Sequence, residues 1–124
     1  GRFVTTHLIV STKFLDEHPD LVRAWIEEHV RITDWIRENR DEALRALNQE
    51  IKRETGKALP DAILEAAFER LELTDDPVSA SLMKSAEDAF ALGFLGRDAP
   101  RLSGIYDLSF LNSVRQAAGK PPIR

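Results

Sequence analysis

Cysteine is absent from these 124 residues, which excludes disulfides, thiolate metal sites and a cysteine nucleophile, and fits a reducing or an oxidising compartment equally. No apolar run is long enough to cross a bilayer as a helix. Neither sign of charge dominates: 17 Lys+Arg are scattered among 21 Asp+Glu, a net charge of -4, so the electrostatic footprint of a nucleic-acid binder is missing. Internal repeats and low-complexity segments are missing too, which makes a solenoid a poor reading. What is there, 43% hydrophobic and 31% charged residues, suits one globular domain with a moderate core and argues against disorder. The first residue, Gly1, fits a processed terminus and a fragment alike.

The chain opens on "RFVTTHLIV". Val4 to Val10 is β-branched and apolar, the composition of a strand buried on both faces. After it the sequence reads as helix. Ser11 or Thr12 caps a short turn over Lys13 to Glu17, which His18-Pro19 interrupts. Pro19 then suits the first turn of a long helix, whose apolar stripe takes in 21, 22, 25, 26, 29, 32 and 36. Asn39 stops it and caps the next, with Leu44, Leu47 and Ile51 on one face and Gly56 closing it. A third long segment starts at Pro60, with Ile63, Ala67 and Leu71 facing inward. Asp76-Pro77 opens a helix running to about residue 92, with Leu82, Ala86, Ala89 and Phe90 on its apolar side. "GFLGRDAPRLSG" is a loop. Asp107 or Ser109 caps a last helix through Leu111, Val114 and Ala118, and "KPPIR" is a frayed tail. The expectation is a mainly α protein of about five helices, a short turn and one N-terminal strand. That strand needs partners, because its main-chain groups cannot stay unpaired in a core. Either residues outside this chain supply them, or a second copy pairs with it to give a strand-mediated homodimer.

Sites for chemistry are few. His7, His18 and His29 lie eleven apart on different elements, whereas a zincin pair needs two His four apart on one helix; no metal site is expected. No serine sits in a nucleophile elbow or an S-x-x-K arrangement. Glu27-Glu28, Asp41-Glu42 and Asp75-Asp76 are adjacent pairs that point in different directions on a helix and read as solvated faces. "GFLG" lacks the glycines and the Lys-Ser/Thr of a phosphate cradle. Trp25 and Trp35, within about 80° of each other around one helix axis, read as core packing. The expectation is no enzyme and no cofactor. The one suggestive group is Arg2, Phe3, Thr5 and Thr6: a guanidinium fork for an oxyanion, two hydroxyls and an apolar wall at the point where the strand begins.

"GRFVTTHLIVSTKFLDEHPDLV", "TGKALP", "RLELTDDP", "LGFLG" and "LSGIYDLSFLNSV", in this order and spacing, resemble the C-terminal part of solute-binding proteins of ABC importers, in the aliphatic sulfonate, taurine and nitrate group. The resemblance covers roughly residues 1 to 116. It implies a segment of the bilobed α/β type II periplasmic binding protein fold, in which residues 1–10 cross the hinge back to the first lobe and enter its sheet, 11–119 form the helical part and 120–124 a tail. It implies a small anion, an aliphatic sulfonate above all, as ligand, Arg2, Phe3, Thr5 and Thr6 as cleft residues, a membrane permease as partner, and a periplasmic or lipid-anchored extracytoplasmic location. Two other readings stand beside it. One is a standalone helical interaction domain that dimerises through residues 4–10. The other is a thiamine-related protein of the same scaffold, which binds a pyrimidine precursor or, as an enzyme, works on one with a catalytic His or Cys; cysteine is absent and no histidine is placed for that role.

Overall fold

The computed structural model describes residues 3–124, and it is mainly helical. Six α-helices come in order: α1 (Thr12–Glu17), α2 (Pro19–Glu38), α3 (Arg40–Thr55), α4 (Asp61–Phe68), α5 (Ser79–Ala91) and α6 (Ser109–Ala117). The local signals place most of them. Ser11 caps α1, its Oγ accepting the Phe14 N–H at 3.1 Å, and His18 ends it while its carbonyl accepts the Leu21 and Val22 N–H groups that open α2. Gly56 closes α3 with φ +78°, a left-handed value that costs glycine nothing.

The expected strand over Val4–Val10 is not formed: among the described residues no β-ladder exists. A strand is a pairing and not a property of one segment, and every regular element around it is a helix that spends its main-chain groups on itself. Two other expectations are corrected. The segment from Pro60 ends as a helix at Phe68, and tight turn bonds from Arg70 N–H to the Ala67 carbonyl and from Leu71 N–H to the Phe68 carbonyl come after it. Leu64 is its buried residue, while Ile63, Ala67 and Leu71 are all exposed. The tail is not frayed, because Ile123 is gripped by Asn112.

The chain divides into two compact units. The first takes residues up to Glu27 and from Asp76 onward; the second is Glu28–Asp75. In the first, Val22 of α2 and Val114 of α6 are buried, with Leu82, Ala86, Phe90 and Leu111 half-buried. Arg23 fastens α2 to α6, its guanidinium 4.8 Å from the Phe110 ring centroid and hydrogen-bonded to Ser113 Oγ. In the second, Val30, Ala43, Leu44 and Leu64 form the core. Buried Thr33 donates its hydroxyl to the His29 carbonyl at 2.7 Å, so its burial leaves no orphan donor. Arg37 donates from Nε and Nη2 to the Leu73 carbonyl at 3.0 and 2.7 Å, and so holds the stretch after α4 against α2.

Burial is shallow throughout. No large side chain among the described residues is fully buried. The surface is 9678 Å², whereas a compact 14.0 kDa protein has about 6,700 Å² and two separate bodies of half that mass about 8,000 Å². Much of the apolar surface that a core would hold is therefore in solvent: Ile9 is 84% exposed, Phe94 79%, Leu92 73% and Trp25 59%. Against the expectation of core packing, Trp25 lies on the open side of α2, while Trp35 is half-buried.

Candidate functional site

The residues around the N-terminal segment are the place where polar side chains from distant parts of the chain converge. Val4 N–H donates to Ser81 Oγ of α5 at 3.0 Å. His7 Nε2 lies 3.1 Å from the Pro77 carbonyl and 3.0 Å from the Tyr106 hydroxyl, with the His7 and Tyr106 rings tilted at 47° and 6.1 Å apart. A proton on Nε2 serves the Pro77 carbonyl, and the phenol oxygen can share it; a proton on Nδ1 leaves Nε2 to accept from Tyr106. The tautomer is thus set by whichever partner the ring donates to.

The backbone beneath this cluster is strained. Val78, next to Pro77, has φ +48° and ψ +58°, the one left-handed non-glycine residue described. A β-branched side chain there is an outlier. Asp76 Oδ1 accepts the Val78 N–H at 2.8 Å and helps hold the turn. On the other side, Asp107 Oδ1 accepts the Ser109 N–H at 2.9 Å at the start of α6; the Ser109 hydroxyl first, then this N–H, keeps its carboxyl below the ordinary value. Burial pushes the Tyr106 phenol up.

Of the sequence-derived candidates, Arg2 lies outside the described residues. Phe3 is 75% exposed, and Thr5, at the chain's bend, and Thr6 after it are exposed. These three are brought to one stretch of surface beside the His7 cluster, but no described side chain bonds to them. Sequence reasoning missed His7, Ser81 and Tyr106. The signal was there: a histidine inside a run of β-formers is a polar group that needs a partner, and Tyr106 is the sole tyrosine.

The second unit offers an open groove of about 480 Å³ between α3 and α4, floored by Leu44 and Leu64 and rimmed by Arg45, Lys52, Asp61 and Glu65. Asn48 sits within it and is already engaged by the Leu59 main chain. Charges of both signs on flexible, exposed stems do not aim at one point. No group of His, Asp and Glu among the described residues could hold a metal ion, and no described helix is long and apolar enough to cross a membrane.

Comparison with protein-family models, with curated proteins and with solved structures found no match.

Proposed function

We propose that the chain is the C-terminal part of an extracytoplasmic solute-binding protein of an ABC importer, which captures a small anion, an aliphatic sulfonate, between two lobes and delivers it to a membrane permease. The observation that carries the reading is the bare segment after the His7 cluster. Leu8, Ile9 and Val10 are 47, 84 and 44% exposed, in a stretch whose composition is that of a doubly buried strand and which finds no ladder among the described residues. A sheet supplied by a first lobe would cover it, and the surplus of exposed surface is of the kind such a lobe would remove. The order of the motifs from "GRFVTTHLIV" to "LSGIYDLSFLNSV" supports the same reading.

On this reading Phe3, Thr5 and Thr6, with Arg2, stand where the chain crosses the hinge. The hydroxyls and the guanidinium would contribute donors to the anion, and Phe3 an apolar wall for its alkyl part. Function is hinge closure: the ligand stabilises the closed state through contacts that the open state lacks. No bond is made or broken.

The test is a thermal-shift panel of alkanesulfonates, taurine, nitrate, bicarbonate and a pyrimidine precursor on the longer protein, with the 124-residue chain alone beside it. A sulfonate should raise the midpoint of the longer protein, with about 2.7 kcal/mol of stabilisation at a hundredfold excess over its Kd. The shorter chain alone should not respond. Micromolar binding by that chain alone, or a response to the pyrimidine precursor and to none of the anions, overturns the proposal.

A further inference from the structure

We propose that residues 4–10 are a self-pairing edge on which a second copy of this chain lays the same residues antiparallel, giving a two-fold dimer. The first support is a main-chain inventory. Val4 N–H is taken by Ser81, but none of the N–H or C=O groups from Thr5 to Val10 has a hydrogen-bond partner among the described residues. These are the groups a neighbouring strand would use.

The edge is also unguarded. Proteins that keep such segments single place Lys, Glu, Pro or a bulge on them, and Phe3 to Val10 contains no Lys, Arg, Asp, Glu, Pro or Gly. Laid against itself in reverse, the stretch sets Val4 opposite Val10, Thr5 opposite Ile9, Thr6 opposite Leu8 and His7 opposite its own copy, and brings no Lys, Arg, Asp or Glu together. The two-fold axis makes each contact occur twice. A parallel arrangement would forgo the closely spaced bond pairs of the antiparallel ladder. One end of the segment is already fixed at Val4 and His7, which lowers the ordering cost of pairing.

The pairing does not rest on the solute-binding reading. In a longer polypeptide a sheet of its own would occupy the same edge, so the property belongs to this chain and is tested on it. Light scattering across a concentration series should give twice the chain mass. Ile9→Lys should give a monomer with the far-UV helical signal unchanged. Because the chain holds no cysteine, single variants Thr6→Cys, His7→Cys, Leu8→Cys and Ile9→Cys read the register: with residues 4–10 laid on the same residues the two-fold axis falls at His7, and only a residue at the axis meets its own copy within disulfide reach. Oxidation should therefore cross-link one of these positions strongly and the rest weakly. A monomer at every concentration, a dimer that survives Ile9→Lys, or equal cross-linking at all four positions, the mark of a parallel stack, overturns the proposal.

Discussion

The two units fold back their chains with the same device and put it to different ends. In the second unit Asn48 of α3 accepts the Leu59 N–H at 2.8 Å and donates to the Leu59 carbonyl at 2.9 Å. In the first, Asn112 of α6 accepts the Ile123 N–H at 2.7 Å and donates to its carbonyl at 3.0 Å. In both cases the gripped residue lies eleven positions on, a left-handed glycine succeeded by lysine makes the turn (Gly56-Lys57, φ +78°; Gly119-Lys120, φ +72°), and proline flanks the gripped residue. A primary amide offers one acceptor and donors side by side, the pattern a neighbouring strand would present. The difference lies in where the chain goes after the gripped residue. Leu59 leads through Pro60 into α4, so the clamp joins two helices and supports the burial of Leu64. After Ile123 no described helix follows, so the clamp holds down a strap of irregular chain, with Arg115 Nε on the Pro121 carbonyl as a second tie.

The largest expected effect breaks this comparison in the second unit. Asn48→Ala removes the two Leu59 hydrogen bonds, worth about 1 kcal/mol each, and a long one of 3.4 Å to Asp61 Oδ1, so about 2 kcal/mol of stability should go. Asn48→Asp keeps the acceptor for the Leu59 N–H but turns a carboxylate oxygen toward the Leu59 carbonyl and the Asp61 carboxylate that the amide donates to, so it should lose at least as much as Asn48→Ala. Each unit carries one tryptophan, Trp25 in the first and Trp35 in the second, so a Trp25→Phe background reports urea unfolding from the second unit alone. An unchanged midpoint in Asn48→Ala would show that α4 stays docked by its apolar contacts without the clamp.

Val78 sharpens the comparison from the other side, since it takes a left-handed conformation where the other turns use glycine. Val78→Gly should stabilise the chain by about 1 kcal/mol, the cost of that conformation for an L side chain less the added backbone freedom of glycine when unfolded. A loss of stability would mean that the half-buried Val78 side chain contributes more by packing than its backbone costs. Asn112→Ala comes next and should cost less than about 1 kcal/mol, because a released strap can satisfy its main chain with water. Its readout is local: the Ile123 amide hydrogen should exchange with solvent faster than in the parent chain.

These two clamps mark where sequence reading stops. Caps and turns are legible because their chemistry is local, as at Ser11 and Gly56. The orientation of α2 is not. Its apolar residues occupy so wide a stripe that periodicity alone admits several faces, and the structure buries Val22, Val30 and Thr33 while leaving Leu21, Trp25 and Ile32 exposed. The strand at Val4–Val10 is read from residues that do prefer a pleated surface, yet a ladder depends on a partner, and no described residue supplies one. Asn48 and Asn112 are ordinary exposed-helix residues in one dimension. Only the recurrence of Asn, Gly-Lys, proline and a gripped aliphatic residue could have pointed to them, on a scale too short to register as a repeat. For the candidate site, Phe3, Thr5 and Thr6 are legible as a surface group, while the His7, Ser81 and Tyr106 contacts join residues up to 99 positions apart and arise from the tertiary course alone.

The smallest effect is also the most selective. Tyr106 is the sole tyrosine, so the phenolate absorbance of the whole protein titrates this one group. Burial raises its pKa from the ordinary value of about 10. Because the folded state binds the proton more tightly, the stability linked to it is full below the unfolded value and is lost as pH rises through the folded one. The absorbance midpoint should therefore lie above that of the chain in denaturant. His7→Ala opens the cluster to water and should bring the midpoint back toward the ordinary value. Asn48→Ala is the control, since Tyr106, His7 and Pro77 belong to the first unit and Asn48 to the second, and it should leave the midpoint where it is. A midpoint equal to that in denaturant would mean that His7 and Pro77 do not shelter the phenol, and the anchoring of the N-terminal segment would then rest on the Val4 and Ser81 bond alone.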